Sequence, residues 1–321
     1  MRDVADAAGV SLKTVSRVIN GEAHVGDDTA KRVMDAVRAT GFRRNDLARQ
    51  LRQGASSATI GLVIEDIANP FYSQVARGVE MVARERGCLV ITGSSEEDGT
   101  RERELVQSLL ERRVDGVVLV PSASDHSYLR SEIQHGTPVV FIDRPPAQVE
   151  ADTILLENRA GARRGVEHLI GKGHTRVAYI GGYAHVYTGA ERHAGYLEAL
   201  HSAGIAPDPA LVKFERHDLE GARAATHELL SLSDPPTAIF ATSNRQSLGV
   251  VEGLFERAQL QVAVVGFDDL ELSAILPVRV TVLKHDPVEL GRMAAQVLFK
   301  RLDGDSAPLE HQILGVDLLE R

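Results

Sequence analysis

At 321 residues the chain is longer than one hydrophobic core usually serves, so two or three domains are expected. Its 43% apolar and 25% charged residues are ordinary for a globular protein. No apolar run nears the ~20 residues that span a bilayer and no signal-peptide core opens the chain, which points to a cytoplasmic protein. The net charge of −9 is unevenly spread: residues 1–54 hold 10 Lys and Arg against 7 Asp and Glu, whereas everything after them is strongly acidic, as expected if only a basic head meets phosphate.

The head reads as helices. Val4, Ala5 and Ala8 recur at helical spacing until Gly9-Val10 breaks the run, and Ser11 is a good cap for a second helix. On that second helix Val15, Val18 and Ile19 share one face, while Lys13, Ser16, Arg17 and Asn20 lie on the opposite one. Two short helices joined by a tight glycine turn make a helix-turn-helix unit. A third helix is expected near 28–39, with Val33, Ala36 and Val37 inward and Gly41 as its stop. Periodicity alone is also satisfied by a small helical cap with a solvated charged face.

The order of residues is more specific than the periodicity. Asp3-Val4-Ala5, Ala8-Gly9-Val10-Ser11 and Thr14-Val15-Ser16-Arg17-Val18-Ile19-Asn20, followed by Gly41-Phe42-Arg43-Arg44-Asn45 and Ala48-Arg49-Gln50-Leu51, closely resemble the head of the lac-repressor (LacI/GalR) family. The resemblance implies that the second helix lies in the major groove, with Leu12, Lys13 and Arg17 at base-reading positions. Arg and Lys donate to guanine O6 and N7, and Leu12 can touch a thymine methyl. Ser11, Thr14, Ser16, Asn20 and His24 are better suited to phosphates, which position a head without reading sequence. The sequence departs from the family in two places. Met1 nearly abuts the first helix, where the family carries several more residues, and Gly26 stands where a serine commonly caps the third helix.

Residues 45–53 could form a short helix capped by Asn45, too short to be stable alone since ~12–15 residues are marginal even for Ala-rich chains. The resemblance makes this segment the hinge helix. It would pair with its dimer mate in the minor groove, Ala48 allowing close approach and Leu51 wedging between base steps. A plain linker is the better reading of Gly54-Ala55-Ser56-Ser57-Ala58.

From residue 60 onward β-branched runs alternate with amphipathic helices. Strand expectations include 60–64, 88–92, 116–120, 138–142, 176–180, 237–241 and 262–266. Cys88, the sole cysteine, opens one such run as a small core residue, and it excludes an internal disulfide or a cysteine-rich zinc site. Strands separated by helix-length segments imply an α/β fold, two lobes of doubly wound parallel sheet with a ligand at the strand C-termini between them. No phosphate-binding glycine loop, nucleophile elbow or metal motif appears, so catalysis, a cofactor and a metal are not expected.

In the motifs Asn69-Pro70-Phe71-Tyr72, Asp115-Gly116-Val117, Ile142-Asp143-Arg144, Gly173-His174-Thr175-Arg176-Val177, Arg192-His193-Ala194-Gly195-Tyr196 and Val265-Gly266-Phe267-Asp268 and their order, the body resembles the periplasmic-binding-protein-like sensor of the same family. The resemblance maps the effector pocket onto Phe71 and Tyr72 for stacking, and onto Asp143, Arg192 and Asp268 for hydroxyls. Asn244, Arg216 and His285 fall near it. The blander readings are Phe71 as core, Asp143 as a strand-end turn residue, and Arg192–Asp268 as an interlobe ion pair. Ser243-Asn244-Arg245 replaces the family's usual Asn-Asp, which keeps a sugar as the expected effector but admits a sugar acid or phosphate.

The expected organisation is a head over 1–44, hinge and linker over 45–58, and an effector-binding and dimerisation domain over 59–321. Within that domain, lobe 1 is expected over about 59–158 and 286–310, and lobe 2 over about 159–285 and 311–321. The expected function is that of a homodimeric transcriptional repressor, binding a pseudo-palindromic double-stranded operator under control of a sugar-like effector. A solute-binding protein or a sugar- or nucleoside-processing enzyme would explain the body but leave the basic head without a purpose.

Overall fold

The computed structural model describes residues 1–19, 25–41, 57–214, 218–270 and 273–320. The chain divides into two compact units, Met1–Ser57 and Ala58–Arg321. Of the residues singled out in the sequence, Asn20, His24, Asn45, Ala48, Leu51 and Arg216 lie outside the described residues.

In the first unit α1 (Arg2–Ala8) ends on Gly9, whose φ of 63° lets the Gly9 and Val10 amides reach back to Asp6 and Ala5 and close the helix. Helix α2 (Leu12–Ile19) begins at Ser11, whose hydroxyl accepts the Thr14 amide at 3.2 Å, the N-cap geometry expected of that serine. Helix α3 (Asp27–Thr40) starts after Gly26, which offers no side-chain cap; Asp27 and Asp28 in its first turn favour the helix dipole instead, and Gly41 stops it. Val4, Ala5, Ala8, Val15, Val33 and Ala36 form the small core of the three helices.

The second unit holds two six-stranded sheets of the same design. In the first, β1 (Thr59–Ile64), β2 (Leu89–Ser94), β3 (Val117–Leu119), β4 (Val139–Ile142), β5 (Asp152–Leu156) and β11 (His311–Leu314) run in the order β11-β5-β4-β3-β1-β2. In the second, β6 (Val177–Gly181), β7 (Val212–Phe214), β8 (Ala238–Ala241), β9 (Ala263–Phe267), β10 (Val280–Lys284) and β12 (Asp317–Leu319) run β12-β10-β9-β8-β6-β7. All pairings are parallel except β10 with β12. The order reverses at β1 and β3, and at β6 and β8, which opens a crevice at the strand C-termini of each sheet.

Alternation along each strand sends side chains to helices on both faces. Ile60, Leu62 and Ile64 meet α4 (Pro70–Glu85) and α11 (Pro287–Leu302), whereas Val63 meets α5 (Gly99–Glu111). A short α6 (Arg130–Gln134) follows on that second face. In the second lobe α7 (Asn158–Gly171) and α8 (Tyr187–Ser202) cover one face, and α9 (Leu219–Leu230) and α10 (Asn244–Glu256) the other. Helices α4 and α11 touch backbone to backbone: a Cβ on Gly78 would stand 2.0 Å from the Val288 carbonyl oxygen, and one on Gly291 2.1 Å from that of Val75.

The seven expected strands are present within one or two residues at each end. Strands β5, β7, β10, β11 and β12 were not among them. One boundary needs correction: 311–314 does not join the second lobe but pairs as β11 with β5 in the first sheet, and the chain crosses at Gly315-Val316 to β12. Its register explains this, because Glu310 donates its amide to Asp152, and Asp152 is clamped at 2.8 and 2.9 Å by Arg301 of α11.

Candidate effector site and DNA-reading surface

The head presents a polar edge at the start of α2. Leu12 is 45% exposed despite being apolar, and Lys13 and Arg17 are exposed beside it, one helical turn apart. Ser11 and Thr14 share a hydroxyl–hydroxyl bond of 2.9 Å, so the capping pair orders the turn that carries Leu12 and Lys13. Ser16 is half-buried between this edge and the core.

In the body, two aspartates occupy equivalent places in the two lobes. Asp143 follows β4 and Asp268 follows β9, with φ of 67° and 73°. Left-handed backbone costs about 1–2 kcal/mol for an L-residue, which the sheet offsets by holding each amide: Asp143 donates to the Ile154 carbonyl and Asp268 to that of Leu283. The Asp268 carboxyl lines a cavity between the lobes, whereas that of Asp143 is buried against Tyr72 and Arg144. Their environments then diverge. Burial pushes Asp143 up, opposed by Arg144 and Arg192. Burial would raise Asp268 too, but the His285 ring, Arg192 and the Asn244 amide outweigh it and hold that carboxyl below its usual range. His285 Nε2 donates to Asp268 at 2.8 Å, and the Asn244 amide donates to the other oxygen at 3.2 Å.

Arg192 lies in the second turn of α8, buried. Its Nε donates to Asn158 at 2.8 Å, a terminal nitrogen to the Thr242 carbonyl, and its guanidinium lies 3.7 Å over the Phe267 ring. The interlobe ion pair of Arg192 with Asp268 does not form. Both residues belong to the second lobe, and Arg192 turns its hydrogen bonds to neutral acceptors.

On the first lobe Tyr72 is buried and donates to Asp143 at 3.3 Å, while Phe71 packs edge-on against Tyr72 and His285 at 4.8 and 5.5 Å between ring centres. Sequence reading had not singled out Arg144, Glu65 or Glu97. Arg144 is buried beside Asp143 and grips Glu97 through both terminal nitrogens, with Glu65 at 3.5 Å. Burial, then the Glu97 carboxylate, push Glu65 up to about 7, with Arg144 only partly opposing. The adjacency of Asp143 and Arg144 was the available signal; the two glutamates sit on segments far apart in sequence and carried none.

Two cavities open between the lobes. The larger, about 760 Å³, is lined by Glu65, Glu97, Arg144, Tyr183, His185 and Tyr187 among others. The smaller, about 350 Å³, is lined by Phe71, Asn244, Asp268 and His285, and shares Arg245 with the first. Between them two bonds join the lobes: Asn244 Nδ2 donates to Asn69 at 2.9 Å, and Arg245 meets Asp66 at 2.9 Å. The structure thus gathers Phe71, Asn244, Asp268 and His285 around one cavity. Tyr72, Asp143 and Arg192 are buried at the adjoining strand and helix ends. Among the described residues no group of His, Cys, Asp or Glu is arranged to hold a metal ion, and no helix is long and apolar enough to cross a membrane.

Comparison with known proteins agrees with this anatomy. Residues 1–45 match the model for bacterial regulatory proteins of the lacI family, and residues 166–321 match that for a periplasmic binding protein-like domain. The chain is 33% identical to the ribose operon repressor of Escherichia coli K12, over 100% of this chain and 98% of that protein. Among solved structures it resembles the lac repressor dimer bound to operator and the anti-inducer ONPF, with TM-score 0.84 and 28% identity over 99% of this chain and 97% of that one. It also resembles a complex of the transcriptional regulator CelR with cellobiose, with TM-score 0.73 and 30% identity over 99% and 97%. The chain therefore belongs to the lacI family of bacterial regulatory proteins, as a DNA-binding transcriptional regulator rather than an enzyme.

Proposed function

We propose that this protein is a cytoplasmic, homodimeric repressor whose operator affinity is set by a sugar-like polyol bound between its lobes. The observation that carries the reading is the pair of left-handed aspartates, Asp143 and Asp268, at equivalent strand ends with Arg192 near both. Carboxylates accept hydrogen bonds from hydroxyls and a guanidinium donates to their oxygens, so a polyol satisfies both. The relatives crystallised with cellobiose or bound to operator support the same assignment.

Dimerisation is supported by apolar surface that a lone copy leaves in water. Strand β2 is a sheet edge with Leu89 73% exposed and Ile91 39% exposed, and Ile275 is 77% exposed on the second lobe. An apolar edge of that kind calls for a cover, and a second copy related by a two-fold axis supplies one. Two heads brought together would read a pseudo-palindromic operator with Leu12, Lys13 and Arg17 at base edges and Ser11, Thr14 and Ser16 toward phosphates. The basic head is what a solute-binding protein would have no use for.

Arg17→Ala is the test. It should cost about 1–3 kcal/mol of operator affinity and relax selectivity at one base per half-site. The measurement is fluorescence anisotropy on a duplex selected by the full chain from a random pool, beside an unselected duplex. Equal loss on both would reduce Arg17 to a phosphate contact.

A further inference from the structure

The two interlobe bonds join the starts of two helices. Asn69, the N-cap of α4, accepts the side-chain amide of Asn244, the first residue of α10, at 2.9 Å. Two helix N-termini thus meet across the cleft, each with a partial positive charge of roughly half an elementary unit. Such an end favours acidic side chains in its first turn. Neither helix has one there, and α10 has Arg245 instead. Asp268 answers that charge from the same lobe, accepting the Asn244 amide at 3.2 Å, but Arg245 bonds to the other lobe.

The Arg245 guanidinium donates to Asp66 at 2.9 Å, with the two side chains 32% and 29% exposed. Asp66 is set for this contact by its own turn: its other carboxylate oxygen accepts the Ala68 amide at 2.8 Å, and its carbonyl accepts the Asn69 amide at 3.0 Å. Neither helix can yield within its lobe. Helix α4 touches α11 backbone to backbone, and a Cβ on Gly249 of α10 would stand 2.2 Å from the Leu219 carbonyl oxygen at the start of α9. Each helix therefore moves with its lobe, and opening the cleft has to part Asp66 from Arg245. A residue that opposes the dipole of its own helix yet bridges two rigid bodies is explained by the bridge.

We propose that Asp66 and Arg245 form an ionic latch that holds the lobes together through the chain's own charges, whichever effector binds. Arg245 lines both cavities, so the latch stands between them. Because the pair is about one-third exposed, dissolved salt screens it, and ionic strength becomes an input to the balance between closed and open lobes.

The experiment is a distance measurement by double electron–electron resonance on the full chain. Spin labels go on Ser124→Cys and His185→Cys, exposed residues on opposite lobes at the rim of the larger cavity, with Cys88→Ser to remove the native thiol. Dilution with unlabelled chain confines each distance to one copy. Arg245→Gln should raise the share of long, open-cleft distances at least about threefold. Asp66→Asn, which keeps an acceptor for the Ala68 amide but loses the charge, should do the same. The double variant should open no further than either single one, because both remove the same pair. Salt at about 0.5 M should open the wild type and leave the variants as they are. Unchanged distances in both single variants, or effects that add in the double variant, overturn the latch. Operator affinity of the same variants, at one salt concentration, separates this proposal from the proposed function: opened lobes with unchanged operator affinity uphold the latch and count against control of the head by the lobes.

Discussion

Arg192→Leu should weaken the binding of a polyol effector by about 2–4 kcal/mol, roughly 30- to 1,000-fold, while leaving operator affinity without effector nearly unchanged. The side chain is buried, so leucine keeps much of the volume but removes every donor, together with the guanidinium that lies over Phe267. Asn158 Oδ1 and the Thr242 carbonyl are then left without the donor they share. More important for the ligand, the positive charge that moderates both Asp143 and Asp268 is gone. Asp143, already raised by burial, shifts further toward its protonated form, and the pair ceases to act as two acceptors for hydroxyls. Arg192→Lys restores the charge without the planar fork and should recover only part of the affinity. Calorimetry with the tightest-binding polyol of a panel measures all three proteins. Unchanged affinity in Arg192→Leu would move the effector out of this site.

The second large effect is on stability. Glu102, in the first turn of α5, is fully buried, and its carboxylate accepts the Ser122 and Ala123 amides and the Tyr128 hydroxyl, the latter two at 2.8 and 2.7 Å. His126 stands 3.4 Å away and accepts the Ala147 amide on Nδ1 at 3.0 Å, so its proton resides on Nε2, facing Glu102. These bonds hold the loops after β3 and β4 that carry Ser122, Ala123 and Ala147 on the wall of the larger cavity. Glu102→Leu strands three donors at once and should cost about 3–5 kcal/mol in denaturant unfolding. The pH dependence has a definite sign. Burial would raise Glu102, but His126 and the loop amides bring it below the ordinary 4.5. A carboxyl depressed on folding stabilises the fold above its unfolded value and loses that contribution as pH falls through the folded value. The gap between wild type and Glu102→Gln should therefore be widest near neutrality and narrow in acid. A gap that widens in acid would contradict the assignment.

Much of this is legible in the sequence itself. The helix-turn-helix could be read because its glycines, its Ser11 cap and its apolar spacing all agree, and local agreement of that kind survives folding. Six of the seven expected strands, all but the edge strand β2, are covered on both faces and were legible as short apolar runs, since such strands need no alternation. Strand β5 was not, because it opens on Asp152 and Thr153, and it takes Arg301 and the Glu310 amide, both from the far end of the chain, to make that aspartate a core residue. Strands β7, β11 and β12 are short edges whose side chains are largely solvated, so composition gives them no signal. In the site, Asp143, Asp268 and Asn244 were accessible from motif order. The grip of Arg144 on Glu97, and the interlobe bonds Asn69–Asn244 and Asp66–Arg245, join residues up to 179 positions apart and follow only from the folded lobes.

Those two interlobe bonds offer the most direct test of the central claim, that the arrangement of the lobes sets the affinity of the head for DNA. The side chains of Asn69 and Asn244 meet at 2.9 Å, so cysteines at both positions, with Cys88→Ser to remove the sole native thiol, can be joined by a short bifunctional thiol cross-linker that holds the lobes as they stand here. Operator affinity of the cross-linked and untreated forms is then measured on the selected duplex, with no need to know the effector. A locked and a free lobe pair should differ by at least about tenfold in operator affinity, within the range of ordinary allosteric coupling, and the locked form should no longer respond to a polyol that shifts the untreated one. Equal operator affinity in the two forms, with the effector response intact after cross-linking, would contradict the account.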